Sequence, residues 1–94
     1  MPYIKQALRD VFDASSGGDL EAVTADDAGE LNFLVSTLCS NYLRKHGVRY
    51  ENINAVVGVL ECAKLELYRR LAAPYEDSKV LENGDMPLYA RMRQ

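Results

Sequence analysis

Residues 54–85 read NAVVGVLECAKLELYRRLAAPYEDSKVLENGD, and this stretch decides the fold. Together with Ile53 just before it, apolar residues return every three or four positions: Val56, Val57, Leu60, Ala63, Leu67 and Leu71, with Lys64 inside the same stripe. That is the period of an amphipathic helix rather than the alternation of a strand. Glu61, Lys64, Glu66, Arg69 and Arg70 charge the rest of its surface. Pro74 lacks a backbone donor and disfavours helical geometry at Ala73, so the long helix predicted over 49–84 is expected to kink or restart there. Gly84, in Glu82-Asn83-Gly84-Asp85, supplies the cap that ends it.

Upstream, a second long helix is predicted over 26–47. Thr24 with Asp27 three residues on has the form of a capping pair, and the acidic groups meet the positive end of the helix. Leu31, Leu34, Val35, Leu38 and Tyr42 form its stripe, with Cys39 and Leu43 alongside. Arg44, Lys45 and His46 suit its negative end, and Gly47 the left-handed position beyond. Residues 1–25 hold a short N-terminal helix, with Ile4, Ala7, Leu8, Val11 and Phe12 on one face. Ser15-Ser16-Gly17-Gly18 ends that helix, and Asp19 to Ala25 has room for one short turn. Residues 85–94 form a tail.

Two long helices joined by a short loop predict an all-α fold built on an antiparallel hairpin. The chain has 94 residues, one domain's worth, and at this length burial of about 60–65% of the unfolded surface is expected. Apolar residues make up 48% and charged residues 27%, which excludes wholesale disorder. A hairpin and one short helix bury little, and Val59, Cys62 and Tyr68 lie off the main stripe of the third helix. A homo-oligomer, at least a dimer, is therefore expected to cover the second face. Gly58 costs about 1 kcal/mol against Ala inside a helix, which marks it for a close helix–helix approach.

Net charge is −3 and unevenly spread. Between Asp10 and Leu43 there is no Lys or Arg but seven acidic residues, whereas from Arg49 onward seven basic residues balance seven acidic ones. A duplex nucleic-acid partner, which needs a basic stripe, is not expected. No apolar run approaches the roughly 20 residues of a membrane span, and the start Met1-Pro2-Tyr3-Ile4-Lys5 has no secretory pattern. A cytoplasmic protein is expected. Cys39 and Cys62 read as reduced core thiols, and no four-ligand cluster suggests zinc or another cofactor.

His46 is the only histidine and reads as a cap on the last carbonyls of its helix, so no nucleophile–histidine pair is built on it. Glu61 with Lys64 and Glu66 with Arg70 stand at ion-pair spacings of three and four. Glu61 also has a second reading, as a carboxylate accepting from a ligand. Tyr68, Arg69, Arg70 and Tyr75 combine planar cations with aromatic faces, the chemistry of phosphate forks and base stacking. Against that stands a structural reading, with Tyr68 in the core and the arginines paired to Glu66, Glu76 and Asp77. Asn32, Asn41 and Asn54 are poor helix formers at helical positions, suited to bonding a partner helix or a base edge.

Several of these elements form a pattern: Met1-Pro2-Tyr3-Ile4-Lys5, Gly29-Glu30-Leu31-Asn32-Phe33, Leu60-Glu61-Cys62-Ala63-Lys64-Leu65-Glu66, Tyr68-Arg69-Arg70, Ala73-Pro74-Tyr75-Glu76-Asp77 and Glu82-Asn83-Gly84-Asp85. The chain resembles a family of short, uncharacterised proteins that recurs in bacteriophage and prophage genomes. The resemblance covers most of the chain. Segment 13–28 is not distinctive, and residues 86–94 depart from the pattern. It implies a phage-borne accessory protein in the cytoplasm of an infected or lysogenic bacterium, without an activity to carry over. By analogy with other small helical phage proteins, two functional expectations follow. In the first, a non-enzymatic oligomer sequesters a small phosphorylated, cyclic-nucleotide-type immune signal. Lys64, Arg69 and Arg70 would hold phosphates, Tyr68 or Tyr75 would stack, and Asn32 or Asn54 would read the base, with Glu61 nearby. In the second, the oligomer is a protein-interaction module that binds a host or phage protein.

Overall fold

The computed structural model describes residues 2–15 and 17–93 and is helical throughout, with no strand among them. The expected all-α class holds. Met1, Ser16 and Gln94, which fall in the predicted start, linker and tail, lie outside the described residues.

The order is α1 (Gln6–Ser15), a 3-10 turn (Leu20–Ala22), α2 (Ala28–His46), α3 (Tyr50–Leu67), a π turn (Tyr68–Ala72), α4 (Ala73–Asn83) and α5 (Pro87–Met92). The backbone groups into two units, Met1–Leu60 and Glu61–Gln94.

In the first unit, α1 lies against the 3-10 turn. The Asp13 carboxylate accepts from the Leu20 amide, tying the turn back across the linker. α2 begins later than Thr24 and Asp27 suggest as a pair. Asp27 itself is the N-cap, its carboxylate accepting from the Glu30 amide at 2.8 Å. An Asp at this position satisfies an orphan amide with a full negative charge, which outcompetes an upstream Thr.

α2 ends at Gly47, whose φ of 107° only glycine adopts readily, and the Gly47 amide donates to the Leu43 carbonyl at 2.7 Å. The expected histidine cap is not made. Asn52, from the first turn of α3, donates to the His46 carbonyl at 3.1 Å and the Gly47 carbonyl at 2.9 Å. His46 instead lies against the Tyr42 ring, with centroids 4.4 Å apart. A ring stacked one turn back along its own helix points away from the carbonyls ahead of it.

The joined ends of α2 and α3 are thus bonded together. Beyond them the helices face each other across an open cleft of about 240 Å³, lined by Leu38, Cys39 and Tyr42 from α2 and by Ala55, Val56 and Val59 from α3. The side-by-side packing of an antiparallel hairpin is not among the close backbone approaches of the described residues. Nothing lies within 4 Å of a Cβ built on Gly58, so the close helix approach expected there is not made within the chain.

In the second unit, the break expected at Pro74 appears one turn earlier, as a π turn. The Ala73 amide donates to the Tyr68 carbonyl, five residues back. The wider turn carries the Arg70 carbonyl away from the proline ring that would otherwise strike it. α4 closes at Gly84 (φ 87°), whose amide donates to the Val80 carbonyl at 2.8 Å. The tail is ordered as α5: Asp85 accepts from the Met86 amide at 2.8 Å and from the Arg93 guanidinium at 2.6 Å.

Burial departs most from expectation. Among the described residues no side chain, apolar or polar, is buried. The chain exposes 8406 Å², where a compact monomer of this length would expose about 5400 Å². It hides less than half of its unfolded surface rather than about 60–65%. Cys62, expected in the core, is an exposed free thiol, and Cys39 is half-buried.

Candidate functional site

The second unit contains six of the eight residues expected to bind a ligand, all on α3, the π turn or α4. Lys64 reaches Glu61 at 3.4 Å, and Arg69 reaches Glu66 at 2.7 Å. The predicted Glu66–Arg70 pair is not formed. Glu66 takes the residue three on instead, which is also an ion-pair spacing of a helix. Arg70 is exposed, with no ion-pair partner among the described residues.

Tyr68 is half exposed rather than in the core. Its phenol donates to the Glu76 carboxylate at 2.9 Å, bridging the π turn to α4. That hydrogen bond, then the charge of Glu76 itself, raises the phenol's pKa above the usual 10.0; slight burial and Asp77 add to the rise. Tyr68 therefore acts as a donor, not an anion. Tyr75 carries the Lys79 ammonium 5.5 Å above its ring, while Lys79 also pairs with Glu82 at 3.2 Å.

The remaining two expected residues belong to the first unit. Asn32 accepts from the Ser36 hydroxyl at 3.4 Å on α2, and Asn54 is exposed on α3. Asn41, the third asparagine, accepts from Arg44 at 3.1 Å. Asn32 and Asn41 thus each bond on their own helix.

Neither the α2–α3 cleft nor the cleft of about 520 Å³ beside α1, lined among others by Tyr3, Ile4, Phe12 and Leu20, includes Lys64, Arg69, Arg70, Tyr68 or Tyr75. The basic–aromatic set is a surface strip whose charges, Arg70 excepted, are already engaged. The α2–α3 cleft has no charged lining and suits another apolar surface better than a phosphate, whereas the cleft beside α1 also carries Arg9, Asp13 and Glu21. Among the described residues no group of three or more His, Cys, Asp or Glu is placed to hold a metal ion, and no helix is long and apolar enough to cross a membrane.

Sequence reasoning missed Asn52. Its signal was an Asn five residues after a predicted capping glycine, at the start of the following helix. It also missed the open cleft, because stripes at helical spacing imply burial without showing what buries them.

No curated protein and no solved structure matches the chain. One family does, over residues 1–86, a span that includes α1 to α4 and stops just before α5. The chain belongs to the family described as Domain of unknown function (DUF6899).

Proposed function

We propose that this chain is a non-enzymatic protein-interaction module that works as a homo-oligomer, with the α2–α3 pair completing its antiparallel hairpin inside the assembly. One observation carries the reading: among the described residues no side chain is buried, while Leu31, Leu38, Val59, Leu67 and Leu71 are each more than half exposed. Apolar surface on that scale marks protein–protein contact rather than a free monomer. The single histidine is occupied by Tyr42, and the acidic residues of α3 are occupied by neighbouring cations, so neither is poised as a catalyst. The acidic balance of the chain disfavours duplex nucleic acid as the partner. A phage-borne accessory role in a bacterial cytoplasm fits a short chain that acts by binding.

The test is sedimentation equilibrium of the purified chain, followed by capture of host or phage proteins with the full chain and with a chain lacking residues 86–94. The tail carries Met86, Leu88, Tyr89 and Met92, all more than half exposed. Oligomers that lose a specific partner on truncation support the reading. A well-folded monomer sinks it.

A second reading, sequestration of a small phosphorylated nucleotide-type signal, is favoured by the π turn. Such turns concentrate at functional sites, and this one presents Arg69 and Arg70 beside Tyr68 and ahead of Tyr75. Thermal unfolding against a panel of linear and cyclic nucleotides tests it. A ligand at 100 times its dissociation constant adds about 2.7 kcal/mol. A selective shift that disappears in Arg69→Ala/Arg70→Ala, with the oligomer intact, supports sequestration; a flat panel removes it.

A further inference from the structure

We propose that the α2–α3 cleft is the seat of a second copy of this chain, two copies interlocking cleft to cleft so that Leu38, Tyr42 and Val59 of each pack into the other. This rests on the interaction-module reading and names its partner and its surface.

The cleft has the chemistry of an interface core. Its lining is Leu38, Cys39, Tyr42, Ala55, Val56 and Val59, with no charged side chain. Leu38 is 70% exposed and Val59 66%, although both point into the space between two helices of one chain. A core that closed within the chain would hide these two first. The stripe also continues past the cleft: Leu31 on α2 is 56% exposed at helical spacing from Leu38, so the surface to be covered is as long as a helix face.

The size fits a second copy. The chain exposes about 3000 Å² more than a compact monomer of its length. Obligate homodimers bury roughly 2000–5000 Å² in all, and the excess carried by two copies is enough to supply it. A small ligand is a poorer occupant. The cleft is open, and at about 240 Å³ it falls below the roughly 300–1000 Å³ of ordinary ligand pockets. A foreign protein is poorer too, because the cleft holds surface the chain needs for its own folding. The occupant must be present whenever the chain is made, and a second copy always is. Cleft-to-cleft docking uses the same patch on both copies, so it closes at two and leaves no sticky end.

Three thiol variants in a Cys39→Ala/Cys62→Ala background test this: Leu38→Cys and Val59→Cys in the cleft, and Val57→Cys on the far side of α3. Each is read by maleimide labelling rate and by sedimentation equilibrium. Leu38→Cys and Val59→Cys should be protected on the order of tenfold or more relative to Val57→Cys, because they react only through opening. Dilution to the monomer should abolish the difference. Leu38→Asp should lose the dimer, and Val57→Asp should keep it.

An oligomer in which cleft thiols label as fast as Val57→Cys, and which survives Leu38→Asp, overturns the cleft as the seam but leaves the interaction-module reading standing. A folded monomer at all concentrations overturns both. A monomer whose cleft thiols become protected only when another protein is added overturns self-association and gives the cleft to that protein.

Discussion

At the scale of single residues, two side chains make bonds that a measurement can isolate. Asn52 holds the last carbonyls of α2, and its replacement by Ala removes two donors from a half-buried corner. A loss of about 1 kcal/mol in denaturant unfolding is expected; no loss would mean that water replaces the amide without penalty. Tyr68 donates to Glu76, and the carboxylate raises its pKa above 10.0. A folded value above the unfolded one stabilises the protein fully below pH 10, and that contribution fades as pH climbs through the folded value. Tyr68→Phe should therefore remove absorbance from the high-pH end of the tyrosinate titration. An unchanged high-pH end in that variant would show that the bond does not persist in solution. The capping glycines, Gly47 and Gly84, were legible in the sequence because only glycine suits their backbone. The Asn52 and Glu76 acceptor–donor pairings were not, because each joins residues five or more apart across a change of helix.

At the scale of elements, helix type and approximate ends followed from periodicity, whereas the junction near Pro74 did not. Sequence rules place a proline break at the residue before it; the chain instead absorbs the break in the π turn of Tyr68–Ala72. The turn carries part of the candidate ligand strip: within it Arg69 pairs with Glu66, and Arg70 has no ion-pair partner among the described residues. Pro74→Ala restores the missing amide and removes the ring that strikes the Arg70 carbonyl. The turn should then relax to an α-helix continuous through residues 67–74. Backbone chemical shifts should report that change, and the melting temperature should rise. Unchanged shifts over 68–72 would assign the π turn to the Tyr68–Glu76 bond instead. If nucleotide binding is found, its loss in Pro74→Ala with Arg69 and Arg70 intact would tie the ligand to the turn's geometry rather than to charge alone. At the other end of the register, Asp27→Ala removes the α2 cap and should cost about 1 kcal/mol.

At the scale of the whole molecule, the sequence gives a stripe on every long helix and no statement of what lies opposite. Expected burial was therefore too high for the chain by itself, and the apolar face of α2 stands open along with that of α3. The 19 residues of α2 and 18 of α3 draw most of their helical stability from packing of an apolar face rather than from propensity. If association supplies that packing, as proposed, folding becomes a mass-action equilibrium. Helical circular dichroism and melting temperature should both rise with protein concentration, and the mid-point of thermal unfolding should move in step with the dimer fraction from sedimentation. Leu38→Asp should show low helicity at concentrations where the parent chain is folded, and should recover part of it when the concentration is raised. Val57→Asp, on the far side of α3, should follow the parent curve. A melting temperature independent of concentration, at full helicity, would require the chain to fold alone with its apolar faces in water, against the roughly 25 cal/mol per Å² that drives them out of it.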